Sequence, residues 1–237
     1  MASAPRKDFL GLRVLWPKAG QTLARVEHDV VLVHGLHSGP ISDWQDEEAP
    51  FWPVEFLGQD LKNTRILSFG YQTSKSTFRP DNFCEEGRVF SHAEALCTDL
   101  TANQTLQKSN PTITFIGHGA GGIIIKSALC YSHARGSEFG TILDKTRHVI
   151  FLDTPHAGIS DYAWRSISRG TFSETSGGQW KLWSSVLSDL RKSFSEVSVR
   201  FNITSACASL KGGDADEVRW FVVINRFRGA VLSLAHL

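Results

Sequence analysis

The stretch from Ile113 to Leu129, ITFIGHGAGGIIIKSAL, holds residues whose types and spacing could do chemistry. An apolar run, a glycine-rich turn and a second apolar run spell strand, turn and helix. Two kinds of chemistry use that layout. A dinucleotide loop, G-x-G-x-x-G, is matched by Gly117, Gly119 and Gly122; its glycines let backbone N–H groups approach a pyrophosphate. A nucleophile elbow, G-x-S-x-G, is matched by Gly117, Gly119 and Gly121, except that glycine stands at the serine position.

Context separates the two. A dinucleotide loop opens its fold and is followed, about 20 residues on, by an acid at the end of the second strand. Here three strand-like runs precede the loop. The next strand-end acid, Asp153, lies well beyond that spacing, and Glu138 reads as a loop residue. The elbow fits better, and dinucleotide binding through Gly117, Gly119 and Gly122 stays as an alternative.

The elements that must position this turn alternate. Leu10–Pro17, Asp29–Gly39, Thr64–Tyr71, the TITFIG run and Arg147–Gly158 read as strands, the central ones as continuous apolar runs typical of buried parallel strands. Ser91–Leu106, Ala120 to about His133, and Trp180–Phe194 read as helices, with Ser91 and Glu94 spelling a capping box. VRFNITSA and VRWFVVI are late strands, and the polar 168–178 stretch is a loop. Such alternation predicts one α/β domain over residues 1–237, with a mostly parallel sheet and helices on both faces.

Bulk properties narrow the partners. A net charge of +1 gives no electrostatic case for nucleic acid. The four cysteines, Cys84, Cys97, Cys130 and Cys207, show no C-x-x-C spacing and read as reduced thiols. No secretory signal or membrane-spanning run is visible, which points to the cytoplasm. His34 and His37 lack a third ligand at a fitting spacing, so neither metal nor other cofactor is expected.

The segments GLRVLWP, VVLVHGLHSG, FWPVEFLGQDLKNTRILSFGY, PTITFIGHGAGGIIIKSAL and RHVIFLDTPHAGIS, with a fainter GAVLSLAHL, run in one order over nearly the whole chain. In that order they resemble the fungal serine-esterase-like domain related to the serine-active-site-containing protein family. The resemblance implies an α/β-hydrolase fold acting on acyl esters or lipids. It implies an elbow reading GHSxGG, with the nucleophile at the position of Gly119. It implies a catalytic acid just after the strand resembling RFNITSACAS, which falls on Ala208, with Asp214, Asp216 or Glu217 as stand-ins. It implies a histidine about ten residues beyond AVLSL, past the position of His236, so the last strand and helix are expected to be truncated. It also offers the mitochondrion or endoplasmic reticulum as an alternative compartment.

These implications leave no intact catalytic set. Glycine adopts the strained elbow conformation freely, so the turn survives while the hydroxyl is lost. Removing such a nucleophile costs on the order of a million-fold in turnover. The backbone N–H groups of Leu36 and Ala120 remain as oxyanion-type donors, and His34, Gly35, His118 and His156 are expected to line the pocket. Ser38 reads as a turn hydroxyl, His156 as a loop anchor and Asp153 as a solvated strand-end residue. The sequence thus points to a degenerate hydrolase that holds an acyl ester, carboxylate or lipid without cleaving it, with an exposed sheet edge open to a protein partner. An active hydrolase with a non-standard nucleophile is the second reading.

Overall fold

The computed structural model describes residues 8–36, 38–45, 50–72, 86–105, 110–156, 179–210, 218–226 and 230–234. Among them eight strands form one sheet: β1 (Gly11–Trp16), β2 (His28–Val33), β3 (Thr64–Gly70), β4 (Thr112–His118), β5 (Thr146–Leu152), β6 (Asn202–Leu210), β7 (Val218–Arg226) and β8 (Ala230–Leu234). Their order is β1-β3-β2-β4-β5-β6-β7-β8. Strands β3, β2, β4, β5 and β6 run parallel, while β1, β7 and β8 add antiparallel edges. The sheet is therefore mostly parallel, as expected. It extends through β7 to β8, the last strand in the order.

Burial explains why β2 reads as unbroken apolar sequence. Val31 and Val33 enter one core cluster, and Val30 and Leu32 enter another on the opposite face. The first cluster is built by four helices: α1 (Glu86–Thr105), α2 (Ala120–Ala134), α3 (Gly136–Lys145) and α4 (Gln179–Ser198). The second is covered by Trp44 and Phe51 and by the helical turns Pro53–Leu57 and Gly58–Asp60. No helix among the described residues is long and apolar enough to cross a membrane.

Two local expectations need correction. Helix α1 starts at Glu86, so Ser91 lies inside it and is no N-cap; Glu94 instead accepts the Tyr131 hydroxyl at 2.8 Å. Glu138 lies in the first turn of α3, not in a loop. That helix buries Phe139, Ile142 and Leu143, and this burial outweighs the two glycines that hide it in the sequence. The 168–178 stretch lies outside the described residues.

The chain passes from β2 out to β3, then crosses back to β4 on the other side of β2. This reversal is the topological switch point. Its crevice opens beyond the carboxyl ends of β2 and β4, the place where open α/β sheets bind ligands. Val33 and Gly117 are in register there. The loop His34–Gly35–Leu36 and the turn His118–Gly119–Ala120 therefore face each other.

Candidate active site at the switch point

Gly119 has φ 51° and ψ −118°, the strained conformation of a nucleophile elbow, between β4 and α2. Its N–H donates to Leu152 O at 2.8 Å, which ties the turn to β5. A Cβ at Gly119 would meet nothing nearer than Gly35 Cα, at 3.9 Å. The neighbouring glycines differ. A Cβ at Gly117 would come within 2.6 Å of Ile125, one at Gly121 within 2.1 Å of Val33 O, and one at Gly122 within 2.1 Å of Thr154 Oγ1. Close packing of strand, helix and loop thus accounts for Gly117, Gly121 and Gly122, with no dinucleotide needed to explain them. At Gly119 space permits a side chain and only the positive φ favours glycine.

Ala120 opens α2, and Leu36 follows Gly35 in the facing loop. Neither backbone N–H has a hydrogen-bond acceptor among the described residues. The other expected members divide. Gly35 lies against the His118 ring, close enough that a Cβ there would meet Nδ1 at 3.0 Å. His34, expected to line the pocket, is instead fully buried, and its ring serves the fold. Its Nδ1 donates to Gly35 O at 2.8 Å, and its Nε2 accepts from Tyr71 N–H at 3.2 Å. Those two partners fix the neutral Nδ1–H tautomer, and burial lowers its pKa. His37 lies outside the described residues, among which no group of side chains fits a metal ion.

His118 carries a partner that sequence reasoning missed. Its Nδ1 lies 2.8 Å from Oδ2 of Asp43, in the short turn Ser42–Trp44. Asp43 also accepts from Gly35 N–H at 2.8 Å and from the Ser38 hydroxyl. It is 6% exposed, whereas His118 is 40% exposed. Burial pushes the Asp43 carboxyl up, but the hydrogen bond and charge of His118, with the Ser38 and Gly35 donors, hold it below the usual range. The same hydrogen bond raises His118 against the opposing effect of burial. Asp8 fixes the turn from outside by accepting from the N–H groups of Ile41 and Ser42, at 2.9 and 3.1 Å. In SGPISDW only the density of turn formers after the HG pair hints that this loop folds back on the site.

Asp43 stands between Ser38 and His118. The Ser38 hydroxyl therefore points its proton at a carboxylate, not at a histidine base, which is the wrong order for an activated nucleophile. Beside the loop, an open groove of about 440 Å³ is walled partly by Phe9, Leu10, Pro40 and Tyr71.

The remaining candidates lie elsewhere. His156 sits edge-on to Phe151, 4.8 Å between ring centres, with Nε2 3.2 Å from Ser205 Oγ. Burial and the nearby Lys126 charge push its pKa down to about 4. Ala208 is not in a loop after its strand but within β6, in register with Trp220. Asp214, Asp216, Glu217 and His236 lie outside the described residues. Asp153 has φ 49° and is half-buried, not a solvated residue, and its charge acts on both His118 and Cys207. Among the described residues Cys97, Cys130 and Cys207 form no disulfide.

Comparison with known proteins supports the fold. Over 86% of its length and 73% of the other chain, the protein superposes on the lipase BlEst2 of Bacillus licheniformis with a TM-score of 0.53 at 17% identity, a likeness of fold. It is 26% identical to Protein SERAC1 of Bos taurus over 66% of this chain, and 27% identical to Protein SERAC1 of Homo sapiens over 62%. The chain spans about a quarter of the length of those relatives (26% and 24%). Residues 24–173, more than half of the 237, match the family described as "Putative serine esterase (DUF676)", and the chain belongs to that family.

Proposed function

We propose that this domain is a serine-esterase fold that has lost its nucleophile and acts by holding an acyl ester, carboxylate or lipid at the switch point. The observation that carries the reading is Gly119, which keeps the elbow conformation and leaves room for a Cβ but supplies no hydroxyl. The N–H groups of Leu36 and Ala120 are its oxyanion-type donors.

The alternative, hydrolysis by a substitute nucleophile, has one contact in its favour: Ser205 against His156. A histidine held near pKa 4 is a weak base, so the contact supports anchoring of the loop after β5 rather than catalysis. Turnover of p-nitrophenyl butyrate by the full chain, beside BlEst2 lipase, tests the reading. Release no faster than in buffer is expected, and a burst followed by steady turnover would overturn it.

A further inference from the structure

Lys126 is a buried amine that the switch point does not use. It lies in the first half of α2 and is 5% exposed. Its Nζ stands 5.3 Å from the ring centre of Phe151 on β5 and 5.4 Å from that of Phe194 on α4. The two rings meet edge to face, 6.0 Å apart at 74°, and the amine sits in the corner between them. The rings attract an ammonium but accept no ordinary hydrogen bond from it. Among the described residues Nζ has neither a hydrogen-bond acceptor nor a carboxylate partner. A lysine kept only for stability would have one, since an apolar side chain fills such a corner at less cost.

The groups around it favour the free amine. Burial, aided by the charge of Arg191 on α4 and opposed by Cys130 one turn along α2, pushes its pKa down to about 8. His156, on the loop after β5, feels the Lys126 charge and is itself held neutral, near pKa 4. Cys130 is pushed up to about 12 by burial, with Glu196 of α4 acting in the same direction, so it stays a thiol. A desolvated lysine beside another cation is the kind that attacks carbonyl carbon. The walls decide which carbonyl compound. Ring faces carry the negative side of the aromatic quadrupole and disfavour an anion. An ester would leave a permanent amide, whereas an aldehyde adds reversibly.

We infer that Lys126 is a covalent binding site for an apolar aldehyde, held as an imine in the corner between Phe151 and Phe194. The site is separate from Gly119 and does not rest on the binding role proposed there. The nitrogen lone pair attacks the carbonyl carbon, and the C=O π pair moves to oxygen, which takes up the proton that nitrogen sheds. The resulting carbinolamine is protonated on oxygen and loses water as the C=N bond forms. Loss of the remaining N–H proton to solvent gives the neutral imine. The sum is amine plus aldehyde to imine plus water, with no change of oxidation state.

The test treats the full chain with benzaldehyde and cyanoborohydride at pH 7, and peptide mass spectrometry places the N-benzyl groups. At pKa 8 about one in ten Lys126 side chains is the free amine at that pH, against about one in three thousand for an ordinary lysine. Part of that gain is lost because a less basic amine attacks more weakly. Lys126 is therefore expected to react about tenfold faster than any other lysine of the chain. Its advantage should shrink as the pH is raised to about 10, where the other lysines also lose their protons, and should vanish in urea. Lys126→Met should lose the fast adduct and keep only slow labelling elsewhere. Labelling spread over exposed lysines with Lys126 no faster than they are would overturn the inference. So would an advantage that persists in the unfolded chain, or a fast adduct that survives in Lys126→Met.

Discussion

Two acid–base pairs bridge neighbouring parts of the same sheet at its opposite ends. At the start of the parallel strands, Arg65 on β3 grips Asp29 on β2 through two contacts, at 2.8 and 2.7 Å, and reaches Asn103 on α1 at 2.9 Å. The Arg65 and Asp29 side chains are 5% and 1% exposed. Beyond the strands' carboxyl ends, Asp43 holds His118 across the switch point, with the histidine half open to solvent. The first pair is a two-contact fork in the dry interior that holds the scaffold. The second is titratable, accessible and beside the glycine elbow. The sheet keeps its buried ion pair at one end and the half-open pair at the end where open α/β sheets bind ligands.

Breaking the buried pair should give the largest effect. Arg65→Ala leaves Asp29 buried and uncompensated, and urea unfolding should show a loss of about 3–5 kcal/mol. Replacing both partners with apolar residues of similar volume should recover most of that loss.

Lys126 is the counter-example that sharpens the contrast, a cation 5% exposed that lies over the faces of Phe151 and Phe194 with no carboxylate partner among the described residues. Burial pushes its pKa down to about 8. The folded state then binds fewer protons than the unfolded chain between about pH 8 and the ordinary lysine value of 10.5. Stability should therefore rise with pH through that window. Lys126→Met should remove the rise and gain about 2–3 kcal/mol at pH 7, read by urea unfolding.

The switch-point pair should matter less to stability and differently with pH. His118 is raised, so its contribution is present below the ordinary histidine pKa and fades as pH climbs through the raised value. Asp43 is lowered, so its contribution is present above the ordinary aspartate pKa and is lost as pH falls through the depressed value. Asp43→Asn should cost about 1 kcal/mol near pH 6, given the exposure of the histidine, and flatten both limbs of a thermal-unfolding pH series. A flat series in the unaltered chain would remove the contrast between the two ends.

The smallest effect belongs to Gly119→Ser. Space is free at that Cβ, and only the positive φ resists, so a loss of about 1 kcal/mol in urea unfolding is expected. Gly121→Ser, whose Cβ would strike Val33 O, should unfold the elbow outright.

Those differences explain what the sequence could and could not reveal. Hydrophobic runs and the order of motifs make β2 to β5 and the elbow legible, because burial on both faces of a parallel strand writes itself into consecutive residues. Asp43 and Arg65 leave no such trace. Each has its oppositely ionisable partner far along the chain, 75 residues away for Asp43–His118 and 36 for Arg65–Asp29, and no local period encodes a pairing of that kind. His34 misleads for the same reason. A histidine at a strand end beside a glycine looks available, and only the stacked ring of Tyr71, 4.2 Å away, together with its two hydrogen bonds, shows the ring to be spent. The catalytic acid could not be read either, since the strand that suggested Ala208 runs on through it to pair with β7.

The proposed loss of the nucleophile at Gly119 predicts a chain inert to a serine-reactive probe. Fluorophosphonate labelling of the full chain, followed by intact-mass and peptide mass spectrometry beside BlEst2 lipase, is the sharpest check. An unmodified chain next to a stoichiometrically labelled lipase is expected. A stoichiometric adduct on Ser38, Ser205 or any other serine of this chain would contradict the loss of chemistry and identify the nucleophile that replaced the one missing at Gly119.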